Sequence, residues 1–292
     1  MQSPGCIGER QAPFIDKPPA GAPSCVFMTG VTRNVTRYLP GVLCLMRRLH
    51  DVGSRYPLVF AVPANEAEDA QAELDALDRH VRKRMANTTV MRWSRFPYTP
   101  RLSGWARRWQ GSRVLDKLNV LGAPFERVVW LDPDMLLTRN VDELCETRAR
   151  LAAAYNAGHE PRTCWSASQP QLGDQCAGCS HHGVRKDERA NSYWVRTGLD
   201  QQEAGKREGT PQCAYEINTG VMVVEPFNAS AFDRLAETIA CGRAPTRDGG
   251  DQGVINSLAY GHDAFGNVSV LPSTCLPATL HLTLLPRRAI AC

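Results

Sequence analysis

The sequence predicts one α/β domain built on a mainly parallel sheet with helices on its faces. Three observations carry this. From Cys25 to Trp93 the segments alternate strand, helix, strand, helix, strand, the order that builds a parallel sheet with covered faces. Pro57 to Pro63 is a continuous apolar run bounded by prolines, as expected where both faces of a sheet are buried. At 292 residues and 43% apolar content, the chain is long enough to bury a sizeable core.

The elements follow in order. Residues 1–24 are rich in proline and glycine without apolar periodicity, and read as a disordered leader before a domain spanning 25–292. Cys25 to Thr29 is the first strand, and a polar loop runs from Gly30 to Arg37. From Tyr38 to Asp51, Leu39, Val42, Leu43, Leu45, Met46 and Leu49 recur at helical spacing, with Pro40 in the first turn. Pro57 to Pro63 is a buried strand bounded by prolines, 65–86 an amphipathic helix, and Thr88 to Trp93 the next strand. Ser112 to Leu121 reads as a helix that stops at Gly122 and Pro124, and Arg127 to Leu131 as a strand ending in Asp132-Pro133-Asp134. Residues 145–215 change character: Cys145, Cys164, Cys176, Cys179 and Cys213 sit among glycine, glutamine, histidine and charged residues, and the stretch reads as an insertion on the domain edge. Ile217 to Val224 resumes strand character, Ser230 to Cys241 is helical, and Gly249 to Ala259 opens another helix.

Bulk composition excludes some classes. With 34 basic and 30 acidic residues the formal charge is +4, too mild to argue for nucleic acid. The cluster from Arg101 to Arg113 is equally a solvated face or a surface for a phosphate-bearing ligand. No run of apolar residues is long enough to span a bilayer, and residues 1–24 lack a signal-peptide pattern, so the expected location is the cytoplasm. Asn-x-Ser/Thr triplets at Asn34, Asn87, Asn228 and Asn267 point toward a secretory route, but such triplets are common by chance. No Gly-x-Gly-x-x-Gly follows the first strand, which counts against a dinucleotide-binding oxidoreductase.

The chemistry centres on Asp132 and Asp134. Ligands of open α/β sheets sit outside the carboxyl ends of the strands. Carboxylates at i and i+2 of an extended backbone point to one side and repel each other. A hard divalent cation, Mg²⁺ or Mn²⁺, removes that repulsion and can bridge to a diphosphate leaving group. The alternative is a solvent-facing Asp-Pro-Asp turn. Cys176, Cys179, His181 and His182, with Cys164 nearby, are donor types of a zinc site, but the CxxC is single, and free loop cysteines are the leading expectation.

The stretch Leu131 to Leu144, with Asp132-Pro133-Asp134 followed by Asn140-Val141-Asp142-Glu143-Leu144, resembles the signature of glycosyltransferase family 8, the family of glycogenin and galactinol synthase. Asp116-Lys117-Leu118-Asn119, Ile217 to Pro226 and Asp248 to Asn256 resemble three further family motifs in the right order, over roughly 25–275 less the insertion. The resemblance implies the GT-A fold and a retaining hexosyl or hexuronosyl transfer from a UDP-sugar, assisted by Mn²⁺ (or Mg²⁺). Asp132 and Asp134 would bind the metal, with Asp134 also near the ribose. Lys117 would answer the donor's negative charge, Thr29 and Tyr38 would touch base and ribose, and Asn218 would bond the sugar or acceptor. Asp248 and Asp251 would bond sugar hydroxyls, with Gln252 near the anomeric carbon. Read without the family, Lys117 is an exposed helix lysine, Asn218 a structural partner, Tyr38 a core residue and Asp251 a helix cap. Retention proceeds either through a transient carboxylate nucleophile such as Asp251 or by attack on the leaving-group face.

The family's closing His-x-x-Gly-x-x-Lys-Pro-Trp stretch has no counterpart here. His281 is a weak substitute for the third metal ligand. The expectation is a C-terminally truncated family domain of reduced activity, with Golgi as the alternative location if an anchor went with the missing end. The acceptor is a hydroxyl on a protein, polyol, glycan or lipid headgroup, and a homodimer is allowed. The rival function is a non-catalytic, glycogenin-like binding partner or scaffold.

Overall fold

The computed structural model describes residues 12–18, 21–32, 35–64, 72, 88–96, 111–155, 163–165, 212–214, 217–240, 250–256 and parts of 258–271. The expected helix over 65–86 (apart from Ala72, which is helical), the CxxC and its histidines, Asp248 and His281 lie outside the described residues.

A seven-stranded sheet organises the domain, in the order β3-β2-β1-β4-β8-β5-β9. Its strands are β1 (Cys25–Gly30), β2 (Leu58–Pro63), β3 (Thr88–Trp93), β4 (Arg127–Leu131), β5 (Leu151–Tyr155), β8 (Ile217–Val224) and β9 (Val268–Val270). The short pair β6 (Thr163–Trp165) and β7 (Gln212–Ala214) stands apart, with Cys164 opposite Cys213 in its antiparallel register. Within the main sheet only β8 runs against the rest, antiparallel to both β4 and β5.

The apolar runs face two ways. On one face Val26, Met28, Val128 and Trp130 pack with Leu115, Leu118 and Leu121 of a tight 3₁₀ segment, Gly111–Gly122. Two helices complete that layer: α2 (Ala229–Ala240) through Phe232, Leu235 and Ile239, and α3 (Asp251–Asn256) through Val254 and Ile255. On the other face Phe27, Phe60, Val129 and Leu131 receive α1 (Val35–Asp51), whose Val42, Leu45, Met46 and Leu49 form one buried stripe at i, i+3, i+4 and i+7. Each of these strands is buried on both sides, which explains why its sequence does not alternate.

Four expectations need correction. The helix expected over Ser112 to Leu121 is wound as 3₁₀ turns, which bring residues i and i+3 into line. Asp116 and Asn119 use that alignment: Asp116 Oδ1 accepts from the Phe96 backbone N–H (2.8 Å), and Asn119 Nδ2 donates to the Ser94 carbonyl (2.7 Å). The first helix begins at Val35, so Pro40 lies inside it rather than in its first turn. Part of the leader is ordered: Phe14 is buried and bridges to Trp93, Ile15 N–H bonds the Arg92 carbonyl (2.9 Å), and Asp16 pairs with Arg92 (2.7 Å). It covers the outer edge of β3, an edge that would otherwise present unpaired backbone groups. Finally, the insertion expected from 145 begins too early, because β5 is a core strand and Cys145 is joined to Cys25 by a disulfide. Cys44 is disulfide-bonded as well.

Candidate active site

The strand order reverses direction between β1 and β4, so the crevice outside their carboxyl ends is where this class of sheet accepts a ligand. Asp132 follows directly on β4 at this point. Its backbone N–H donates to the Gly220 carbonyl (2.8 Å), extending the β4–β8 pairing one step past Leu131. The chain then turns, with Met135 N–H returning to the Asp132 carbonyl (3.1 Å). The extended backbone expected for Asp132 and Asp134 is therefore replaced by a β-turn with Pro133 and Asp134 at its centre, a position proline pre-organises. Asp132 is partly buried and Asp134 exposed. Gly41 of α1 lies against this turn, and a Cβ there would overlap the Pro133 carbonyl oxygen.

Behind the turn three elements meet on one ammonium. Lys117, in the 3₁₀ segment, is only 6% exposed. Its Nζ lies 2.9 Å from Asp132 Oδ1, 3.1 Å from Asp251 Oδ2 on α3 and 3.2 Å from Thr219 Oγ1 on β8. Thr219 Oγ1 donates to the same Asp251 oxygen (2.8 Å), and Trp130 Nε1 donates to Asp132 Oδ1 (2.7 Å). The ammonium also stands 5.3 Å from the Trp130 ring centre, within cation–π range. Trp130 in turn stacks on Trp93, centroids 6.0 Å apart. Burial alone pushes the Lys117 pKa down, but the carboxylates of Asp132 and Asp251 outweigh it, and the net result is a pKa raised above the ordinary lysine value. Two carboxylates share one ammonium, so the cluster keeps a net negative charge, and the exposed Asp134 lies next along the chain.

Neighbouring residues shape the rim. Asn218 Oδ1 accepts from Gly220 N–H (2.7 Å), a local bond that fixes the side chain against its own strand. A Cβ on Gly220 would fall 2.9 Å from that oxygen and 3.4 Å from Asp132 Oδ2, so the close approach of β8 to Asp132 requires glycine. Gln252 follows Asp251 on α3 and is partly buried. Thr29 is wholly buried in β1, and Tyr38, expected as core without the family context, is 37% exposed on α1 beside Arg37 (5.9 Å from the ring centre).

The expected residues Asp132, Lys117 and Asp251 thus meet through direct contacts, with Asn218 beside them across Gly220. Thr219 and Trp130 were not anticipated. Trp130 precedes Asp132 by two residues, the spacing that puts side chains on one side of a strand, and that was a usable signal. Among the described residues no three His, Cys, Asp or Glu side chains converge as a ready metal site. Asp132 and Asp134 are nevertheless hard oxygen donors two residues apart at one turn, and donors of this kind fit Mg²⁺ or Mn²⁺.

Comparison with known proteins locates the architecture. The chain is similar to the bifunctional glycosyltransferase WbbM in its apo form, with a TM-score of 0.50 and 13% identity over 88% of this chain and 40% of that one. The fold is that of the GT-A glycosyltransferases. Also similar are the galactosyltransferase LgtC with donor and acceptor sugar analogues (TM-score 0.49, 15% identity, 85% of this chain and 73% of that one) and core-mannan synthase A of Aspergillus fumigatus in a Mn/GDP form (0.45, 13%, 91% and 77%). The chain spans about two fifths of the WbbM chain. No protein-family profile and no curated protein matches it.

Proposed function

We propose that this chain transfers a hexosyl or hexuronosyl group from a UDP-sugar to a hydroxyl acceptor, with retention of anomeric configuration. The observation that supports it is the buried Lys117 ammonium tying Asp132, beside the ligand crevice, to Asp251 on α3. Such a tie fixes two carboxylates from different elements in one geometry before any ligand arrives, which is how a site lowers the reorganisation needed at the moment of reaction.

In this reading Asp132 and Asp134 hold Mn²⁺ (or Mg²⁺), which when bound offsets the charge of the diphosphate leaving group. Lys117 holds Asp132 in place and offsets part of the carboxylate charge that would otherwise repel the diphosphate. The exposed Tyr38 and neighbouring Arg37 form a surface for base and ribose, whereas Thr29 is wholly buried in β1 and contributes packing. Asn218, its carbonyl oxygen already engaged by Gly220, offers its amide N–H₂ to the sugar or acceptor. Asp251 and Gln252 stand on the sugar side, and Asp248 joins them by family resemblance. Because Asp251 Oδ2 is engaged by both the Lys117 ammonium and the Thr219 hydroxyl, its carboxylate is a weakened nucleophile in this arrangement. That favours attack by the acceptor on the leaving-group face, its proton passing to the departing phosphate.

Incubation with Mn²⁺ and UDP-glucose, UDP-galactose or UDP-glucuronate tests the proposal. It requires release of UDP with one of these donors and none without a divalent ion. Binding of UDP without release from any donor would instead favour a nucleotide-binding scaffold.

A further inference from the structure

We propose that Asn228 carries an N-linked glycan and that the chain matures in an oxidising secretory compartment. The inference is independent of the transferase reading. Asn228-Ala229-Ser230 is an acceptor triplet with no proline at its centre, and all three residues are exposed. Asn228 stands just before α2, where its Oδ1 accepts the Ala231 N–H (2.9 Å) and its backbone carbonyl accepts the Phe232 N–H (2.8 Å). That is an N-cap, and it uses only the carbonyl oxygen of the side chain. Glycosylation uses the other atom. The amide Nδ2 attacks the anomeric carbon of a lipid-pyrophosphate-linked oligosaccharide, a C–N bond forms, and the carbon–oxygen bond to the pyrophosphate breaks. The nitrogen gives up one proton to the transferring enzyme, and the lipid pyrophosphate leaves. The product amide keeps its oxygen, so the cap survives with the sugar attached.

The cysteines supply the second observation. Cys25 and Cys145 are joined across 120 residues of sequence, and Cys44 is also disulfide-bonded. Lasting structural disulfides belong to oxidising compartments, the same ones that hold the glycan-transferring machinery. The strand register shows that a glycan at Asn228 is harmless to the candidate site. β8 runs from Asn218 and Gly220 beside Asp132 down to Val224, which pairs with Val128 near the start of β4, and Asn228 lies beyond that lower end. The triplets at Asn34, Asn87 and Asn267 lie outside the described residues.

The test uses the protein isolated from its own cells with thiols trapped by alkylation. Peptides are released with peptide-N-glycosidase in heavy-oxygen water and analysed by mass spectrometry. The expected result is a labelled aspartate at position 228 and linked Cys25 and Cys145 peptides. An unmodified Asn228 overturns the proposal whatever the state of the cysteines. Two variants produced in the same cells separate glycan from cap. Asn228→Asp keeps the capping oxygen and Ser230→Ala keeps the asparagine, so both are expected to lose one glycan's worth of gel mobility shift while melting as the parent does. Unchanged mobility in both variants would contradict it.

Discussion

The two ends of the same strands are built on opposite principles. At the carboxyl end of β4, charged groups are buried and shared: Lys117 is held by Asp132, Asp251 and Thr219 beside the core tryptophan Trp130. At the amino end, Glu225 and Arg150 stay near water and the chain is joined covalently. Arg127 and Arg150 reach Glu225 (3.9 and 3.2 Å), Arg127 also donates to the Thr147 carbonyl, and Cys25 is bonded to Cys145. Burying an ion cluster costs desolvation that its mutual attraction only partly returns, whereas a disulfide stabilises without any such penalty. A fold seeking stability alone would use the second device at both ends. The first is retained where a ligand crevice opens, and that is the argument for function.

The contrast is broken most severely at Lys117. Lys117→Met leaves two carboxylates facing each other, and UDP release is expected to fall about 100-fold or more. Stability should drop by about 3 kcal/mol in urea denaturation, the lower end of the range for breaking a buried pair because Asp132 can turn to water. The same residue sets an alkaline limb. Its pKa is raised in the folded state, so its contribution is complete below the ordinary lysine value of 10.5 and is lost as pH rises through the folded-state pKa. Denaturation of the variant should show a flatter limb in that region.

Next in size is the covalent staple. Replacing Cys25 and Cys145 together by serine is expected to cost about 2–4 kcal/mol by denaturant titration, with UDP release per folded molecule unchanged. A loss of turnover would mean that the two ends are coupled. Smallest is Glu225→Ala, expected to change stability by less than about 1 kcal/mol because Glu225 and Arg150 are exposed and Arg127 keeps the Thr147 and Ala149 carbonyls as partners.

How much of this could be read in advance differs between fold and site. β1, β2 and β4 were legible because burial on both faces writes itself as apolar runs, and α1 because its stripe has helical period. β5 was hidden: Leu151 to Ala154 is mostly alanine, weak as a strand former, and it follows Cys145 into a polar, cysteine-rich stretch. The docking of Phe14 on Trp93 was hidden because a single aromatic among prolines carries no period. Cysteine pairing was illegible for a different reason, since Cys25 and Cys145 come together only after the sheet has formed. In the site, Asp132, Lys117 and Asp251 were recognisable from ordered motifs, but not that one lysine bridges both carboxylates. That contact depends on a 3₁₀ segment, β4 and α3 converging, which no local spacing encodes.

The central claim is that the edge beside Asp132 holds a nucleotide diphosphate with a divalent ion, and thermal melting tests it most directly. With Mn²⁺ and UDP together the parent chain is expected to melt higher than with either alone, and Asp132→Asn, which leaves Lys117 paired with Asp251, should fold and lose that increment. An equal increment in the variant, or none in the parent, would contradict the account.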